Sequence, residues 1–159
     1  VIPAVFKIND GWYRVTGIGS SVFRGCISLT SVVIGNSVTS IGGSAFYGCS
    51  SLTGVVIPDS VTSIGDRAFS SCAKLTNIEV DSNNPYYKDF EGDLYTKDGK
   101  TLVQYAMGKA DASFTIPDSV VIIGDYAFHS NNSIESITLP DSITSNIPAA
   151  HIKSMYLYL

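Results

Sequence analysis

The sequence predicts an α/β repeat solenoid: a coil with one parallel sheet of short strands on one side and a helical or 3₁₀ turn on the other. Three observations carry that prediction. The phrase Ile41-Gly42-x-x-Ala45-Phe46-x-x-Cys49-x-x-Leu52-x-x-Val55-x-Ile57 returns at one constant offset as Ile64-Gly65-x-x-Ala68-Phe69-x-x-Cys72-x-x-Leu75-x-x-Ile78-x-Val80, a 23-residue period. Self-similarity at such a period marks one supersecondary unit per copy, which buries its apolar face only by stacking on its neighbours. Each copy holds a β-branched triplet, Val32-Val33-Ile34, Val55-Val56-Ile57 or Ile78-Glu79-Val80, bounded by Gly, Asn, Pro or Asp, the mark of a short strand. Finally, 159 residues at 45% hydrophobic content suffice for one domain with a sizeable core.

Taken in order, residues 1–17 form an N-terminal cap. Val1-Ile2-Pro3 repeats Val56-Ile57-Pro58, but the stretch Ala4–Arg14 is longer than the matching loop and carries Phe6, Ile8, Trp12 and Tyr13 around a turn at Asn9-Asp10-Gly11. A terminal repeat must cover the open end of the core, so Trp12 is expected as a lid on the first coil. Residues 18–80 are the regular repeats. Phe23, Phe46, Phe69 and Phe128 should stack as an interior spine beside a row of Leu29, Leu52, Leu75 and Ile134, each buried side chain contributing about 1.5–3 kcal/mol. Ala45–Cys49 is compatible with the helical or 3₁₀ turn.

The phrase breaks in residues 81–113. The strand triplets at Ile78 and Phe114 lie 36 residues apart, where 23 are expected. The added segment reads as a hairpin, Asp93–Lys97, an Asp98-Gly99 turn and Lys100–Tyr105, preceded by the turn cluster Asp81–Pro85. The repeats resume over 114–143, with Asn131 at the cysteine place, and residues 144–159 are an irregular tail or a capping helix. Cys26, Cys49 and Cys72 follow the 23-residue period. Parallel Cβ vectors on coils about 4.8 Å apart are too far apart for a disulfide, so free thiols packed as small hydrophobes are expected.

These residues resemble the BspA-type leucine-rich repeats. The phrase Ile-Pro-x-Ser-Val-x-x-Ile-Gly-x-x-Ala-Phe carries the resemblance over about residues 15–143, and the insertion with Asn84, Tyr87, Glu91–Tyr95, Lys97-Asp98-Gly99 and Leu102 is similar to one that recurs in the family. The resemblance implies a right-handed leucine-rich-repeat coil, with Cys or Asn at a tight interior turn. It also implies an exported, extracellular or cell-surface recognition or adhesion protein of the kind found in anaerobic bacteria, the expected source here, and in some parasitic protists.

Charge and motifs narrow the chemistry. A net charge of −4, with ten dispersed Lys and Arg, argues against nucleic acid or an anionic membrane surface. No apolar run reaches the length of a membrane-spanning helix, and Val1 is not followed by the pattern of an export leader. His129 and His151 have no motif-spaced nucleophile or ligand, so no enzyme activity and no cofactor are expected. Asp89-x-Glu91-Gly92-Asp93 has its glycine two places early for an EF-hand and Lys100 where the bidentate glutamate belongs, so it reads as a turn and no metal is expected. Asn131-Asn132-Ser133 is a glycosylation sequon by letter, but Asn131 occupies an interior place.

What remains is binding. Strand alternation turns Val33, Val56, Glu79, Thr115 and Thr138 outward as one row, flanked by Ser31, Gly54, Asn77 and Ser136. The insertion offers a rival patch in Tyr86, Tyr87 and Tyr95, since tyrosine supplies rigid amphipathic contact area. The leading expectation is a non-enzymatic module that binds a protein through one of these surfaces. A glycan-binding module and an architectural spacer are the alternatives.

Overall fold

The computed structural model describes residues 1–9, 11–143 and 156–158. An antiparallel hairpin, β1 (Val5–Ile8) and β2 (Gly11–Arg14), precedes the stacked coils. Two rows of short parallel strands then run along the first coils: β3 (Gly17–Ile18), β5 (Ser40–Ile41) and β7 (Ser63–Ile64) in one, β4 (Ser31–Val33), β6 (Gly54–Ile57) and β8 (Asn77–Val80) in the other. Both rows keep the repeat's register, pairing Ile18 with Ile41 and Ile64, and Val32 with Val55 and Ile78. The expected single sheet is therefore two. Each coil bends between its strands, and the Ile-Gly half forms a ladder of its own.

The insertion contributes β9 (Tyr87–Phe90), β10 (Asp93–Thr96) and β11 (Thr101–Gln104), an antiparallel meander. The predicted hairpin corresponds to β10 and β11, but residues 97–100 connect them in place of the expected two-residue Asp98-Gly99 turn, and β9 is an additional strand joined by the two-residue Glu91-Gly92 turn. Both turn residues have positive φ, at 52° and 82°, which matches the turn twist that suits a tight hairpin. The repeats resume with β12 (Ser113–Thr115), β13 (Ile122–Ile123) and β14 (Ser136–Thr138). A last strand, β15 (Tyr156–Tyr158), pairs in parallel with β14. That strand is not the helix considered for the tail, whose remaining residues lie outside those described.

Among the described residues no helix forms, so the α half of the expected class is wrong and the fold is a β-solenoid of about 5 turns. The hydrogen bonds show why. In Ser44–Cys49 alternate N–H groups leave the coil: Ser44, Phe46 and Gly48 donate to Asp66, Ala68 and Ser70 of the next one. The N–H groups between them, on Ala45, Tyr47 and Cys49, close turns onto the residue three back. A helix keeps every N–H on itself, so it cannot stack in this way. In the first three coils two left-handed positions make the corners, Ser21 and Gly25, Ser44 and Gly48, and Arg67 and Ser71, and Ser130 repeats the second of them later in the chain.

Side chains add polar ladders at the same period. Thr39 Oγ1 donates to Thr16 O at 3.0 Å and Thr62 Oγ1 to Thr39 O at 3.1 Å, while Ser60 Oγ donates to Val38 O at 2.7 Å. The core divides in two. One cluster holds Phe46, Phe69, Leu52, Leu75 and their neighbours and ends at Leu94; the other begins at Tyr95 and holds Leu102, Tyr105, Phe128 and Ile137. Leu94 and Tyr95 are consecutive on β10, so strand alternation sends one into each.

The register of the irregular region follows from its bonds. Leu102 pairs with Ile123 as Ile41 pairs with Ile64, and Tyr105 N donates to Ala127 O as Phe46 N donates to Ala68 O. Tyr105 is thus the spine aromatic of the fourth coil. The step from Ile64 to Leu102 exceeds the repeat by fifteen, and the step from Leu102 to Ile123 falls short of it by two. The expected thirteen-residue excess is the difference between an insertion and a deletion.

Candidate functional site

The outward row is not continuous. Gly92 O accepts the Ile78 N–H and Asp89 Oδ1 accepts the Val80 N–H at 2.9 Å, so the meander covers the free edge of β8. β12 pairs with β14 and not with β8. Val33, Val56 and Glu79 therefore form one short row, and Thr115 and Thr138 another. Val33 is 46% exposed, Val56 half-buried, and Glu79, Thr115 and Thr138 exposed.

The three candidate tyrosines occupy different environments. Tyr86 is 51% exposed. Tyr87 is half-buried and its hydroxyl accepts the Ile64 N–H at 3.1 Å; burial raises its phenol above the ordinary value. Tyr95 is 2% exposed, its hydroxyl has no partner, and burial together with the Asp93 and Glu91 charges raises its phenol. Tyr95 is a core residue, which removes it from the exposed patch, because its position on β10 points into the second cluster.

Asn84 positions this patch. It is fully buried, its Nδ2 donates to Pro58 O at 2.8 Å and Val61 O at 3.0 Å, and its Oδ1 accepts the Tyr86 and Tyr87 N–H groups at 2.8 Å. In the ordinary coils Ser37 and Ser60 reach back to the preceding coil in this way. An asparagine can also hold the start of the insertion, because it accepts as well as donates. The Ser/Thr ladders were open to sequence reasoning, as their members recur at the repeat period; the role of Asn84 was not, as it falls outside the phrase.

Asp93 ties the hairpin to the shortened coil. Its Oδ1 accepts the Ala106 N–H at 2.8 Å and meets Lys109 Nζ at 2.8 Å, while its Oδ2 is buried without a partner. Desolvation is the largest influence on this carboxyl and raises it, with the Ala106 N–H and Lys109 only partly opposing. Asp89, Glu91 and Asp93 do not converge: Asp89 is bonded to Val80, Glu91 forms a turn and Asp93 is buried. The turn expected here is confined to Glu91-Gly92, since Asp89 lies on β9 and Asp93 is buried on β10.

Because the fourth coil lacks two residues of its corner, its neighbours meet across it. The Arg67 guanidinium lies 4.0 Å from the Tyr126 ring centroid, and Ser71 Oγ donates to Ser130 Oγ at 2.9 Å. A narrow cleft of about 110 Å³ remains beneath, lined by Arg67, Gln104 and Tyr126 among others. His129 Nδ1 lies 2.9 Å from Ser130 Oγ, and the ring stands near those of Tyr47 and Tyr126. His151 lies outside the described residues.

Cys49 and Cys72 are buried free thiols that donate to Phe23 O and Phe46 O, each at 3.1 Å. Burial pushes the Cys72 thiol up to about 12. Cys26 is free but exposed, because no preceding coil covers it. Asn131 Oδ1 accepts the Ser133 and Ile134 N–H groups and its Nδ2 is buried, so this amide is held inside the turn. Trp12 is 72% exposed with Lys7 Nζ 5.9 Å from its ring centroid. It is not the expected lid, since β1 and β2 pair only with each other and carry its ring out into solvent.

No curated protein sequence matches the chain. The profile of the BspA type leucine rich repeat region matches residues 13–91 and 107–150 in six copies. Among solved structures, a leucine-rich repeat protein from Bacteroides ovatus is 36% identical at a TM-score of 0.59, over 89% of this chain and 33% of its own. One from Eubacterium ventriosum is 27% identical at 0.62, over 81% and 46%. The pneumococcal vaccine antigen PcpA shares the fold, with a TM-score of 0.66 at 16% identity over 99% and 60%. The chain thus spans less than two thirds of each of these structures. With the family's repeats matched along most of its length and the same solenoid in those bacterial proteins, the chain belongs to the BspA-type leucine-rich repeat family.

Proposed function

We propose that the chain is a non-enzymatic recognition module, extracellular or on a cell surface, that binds a protein partner through the outer face of β4–β6–β8. The observation that carries this reading is the row Val33, Val56 and Glu79, a strip of two valines ending in a carboxylate on a rigid three-strand ladder. Its flanks, Ser31, Gly54 and Asn77, are small or short, so a partner reaches the valines unobstructed. Interfaces of this kind place apolar contact at the centre and polar groups at the rim. Membership of a leucine-rich repeat family supports the general role, and adhesion is its specific form.

Affinity capture of host and bacterial surface proteins on the immobilised chain tests the siting. Val33→Glu combined with Val56→Glu is expected to weaken a captured partner at least tenfold with only a modest fall in melting temperature, because both side chains point away from the core but then stand in register with Glu79. Capture that is unchanged in the double variant rejects this face. If Tyr86→Ala then abolishes capture, the exposed edge of the insertion is the contact instead.

A further inference from the structure

We propose a second binding site, independent of the sheet face: the groove between the meander and the loop after β12 takes one neutral pyranose ring of a glycan. The groove measures about 290 Å³ and is lined by Lys88, Phe90, Tyr95, Gly99, Pro117 and Ser119, with Asp89 beside them. Pockets for drug-sized ligands begin at ~300 Å³, so this one accommodates a ring and its substituents rather than a longer ligand.

Its lining matches the two characters of a pyranose, an apolar C–H face and a rim of hydroxyls. Phe90, on the edge strand β9, is 52% exposed and stands edge-on to Tyr95, with ring centroids 6.5 Å apart. Tyr95 is held in the core, so Phe90 rests on a fixed floor. Its open ring face carries the negative side of the aromatic quadrupole, to which the polarised C–H groups of a sugar are attracted.

The polar groups flank that ring. Lys88 is half-buried and its ammonium stands in the field of the Asp98 carboxylate, but it makes no hydrogen bond among the described residues, so its donors are open to a hydroxyl. Gly99, at φ +73°, makes room for it: a Cβ there would lie 2.5 Å from Lys88 Nζ. Ser119 Oγ donates to Gly99 O at 3.2 Å and keeps its lone pairs for an incoming hydroxyl. A donor on one side and an acceptor on the other suit a ligand whose hydroxyls do both.

Another occupant fits less well. A strongly acidic ligand meets a chain of net charge −4 with a single lysine in the groove.

A printed array of bacterial and mammalian glycans, probed with the biotinylated chain clustered on streptavidin, tests the proposal. Binding to glycans that share a terminal neutral hexose is expected. Phe90→Ala and Lys88→Ala should each reduce it at least tenfold, Phe90→Trp should retain it, and the Val33→Glu/Val56→Glu chain should bind as wild type does. No binding by the wild-type chain overturns the proposal, as does binding that survives Phe90→Ala or is confined to acidic glycans. Loss in the valine variant alone would return the activity to the sheet face.

Discussion

Phe23, Phe46 and Phe69 stack face to face at 5.2 and 5.5 Å with their planes within 6°. Tyr105, Phe114 and Phe128 meet tilted or edge-on at 4.9 to 5.8 Å. The first three coils repeat one solution, in which each side chain lies on its own copy and polar groups bond to their equivalents in the neighbouring coil. The later coils reach the same stacking with different residues. Asn84 stands in for a ladder serine, Tyr105 for a spine phenylalanine, and Asp111 lies where the leucine row continues and accepts the Tyr105 hydroxyl at 3.1 Å. The backbone ladder is what a coil must keep; side chains are interchangeable where another group supplies the same bond or fills the same space. The insertion projects from the seam between the two kinds of coil, and both proposed surfaces border it.

Removing the central ring of the regular stack tests this contrast most severely. Phe46→Ala is expected to cost about 3–5 kcal/mol, read by chemical denaturation, because Phe46 packs between two rings. Phe128→Ala should fall at the low end of that range, and equal losses would dissolve the distinction between the stacks. Asn84→Ala comes next, at about 3 kcal/mol, since two carbonyls and two N–H groups lose their partner and each orphan costs ~1–3 kcal/mol unless water reaches it. A loss under ~1 kcal/mol would mean that the insertion holds itself in place. Ser71 stands at φ 61° where Gly48 stands in the coil before it, so Ser71→Gly should relieve strain and stabilise by about 1 kcal/mol. A drop in melting temperature would show that the bond to Ser130 outweighs the strain.

The mildest effect is a slope with pH. Burial raises the Asp93 carboxyl in the folded chain, so above the ordinary carboxyl pKa the folded state holds a proton that the unfolded state has released. This group's contribution is therefore greatest at low pH and falls as pH rises through that window. Wild type compared with Asp93→Asn across the window should show this fall, and a rise instead would mean that Lys109 dominates.

Legibility followed the period. The strands around Val32, Val55 and Ile78, the inward Phe and Leu positions, Cys49 and Cys72, and the hairpin over Asp93–Gln104 were readable, because each is set by alternation, repetition or local turn chemistry; the Ile-Gly ladder, β9 and the exposure of Cys26 were not. The helical turn was misread: Ala45–Cys49 has acceptable helix formers, and only the pull of the next coil's carbonyls makes alternate N–H groups leave. Among the candidate contacts, Val33 is exposed as strand alternation suggested, and Tyr86 is exposed as well. Tyr95 is buried, since inside an insertion no repeat indicates which strand face points inward. The exposure of Phe90 was unreadable for the same reason, since nothing in the repeat sets which face of β9 meets water.

By itself the sequence determined that this chain stacks coils at a 23-residue period on an apolar spine, because a unit that cannot bury its own face has one way to be stable. It also determined where that regularity stops. Tertiary structure alone decided that the sheet row is broken, where the insertion enters and the deletion falls, and which aromatic of the insertion faces water. Those outcomes depend on hydrogen bonds such as Ile78 N–H to Gly92 O and Ile64 N–H to Tyr87. Such bonds join elements that the repeat does not relate, and only the closed fold brings them within reach.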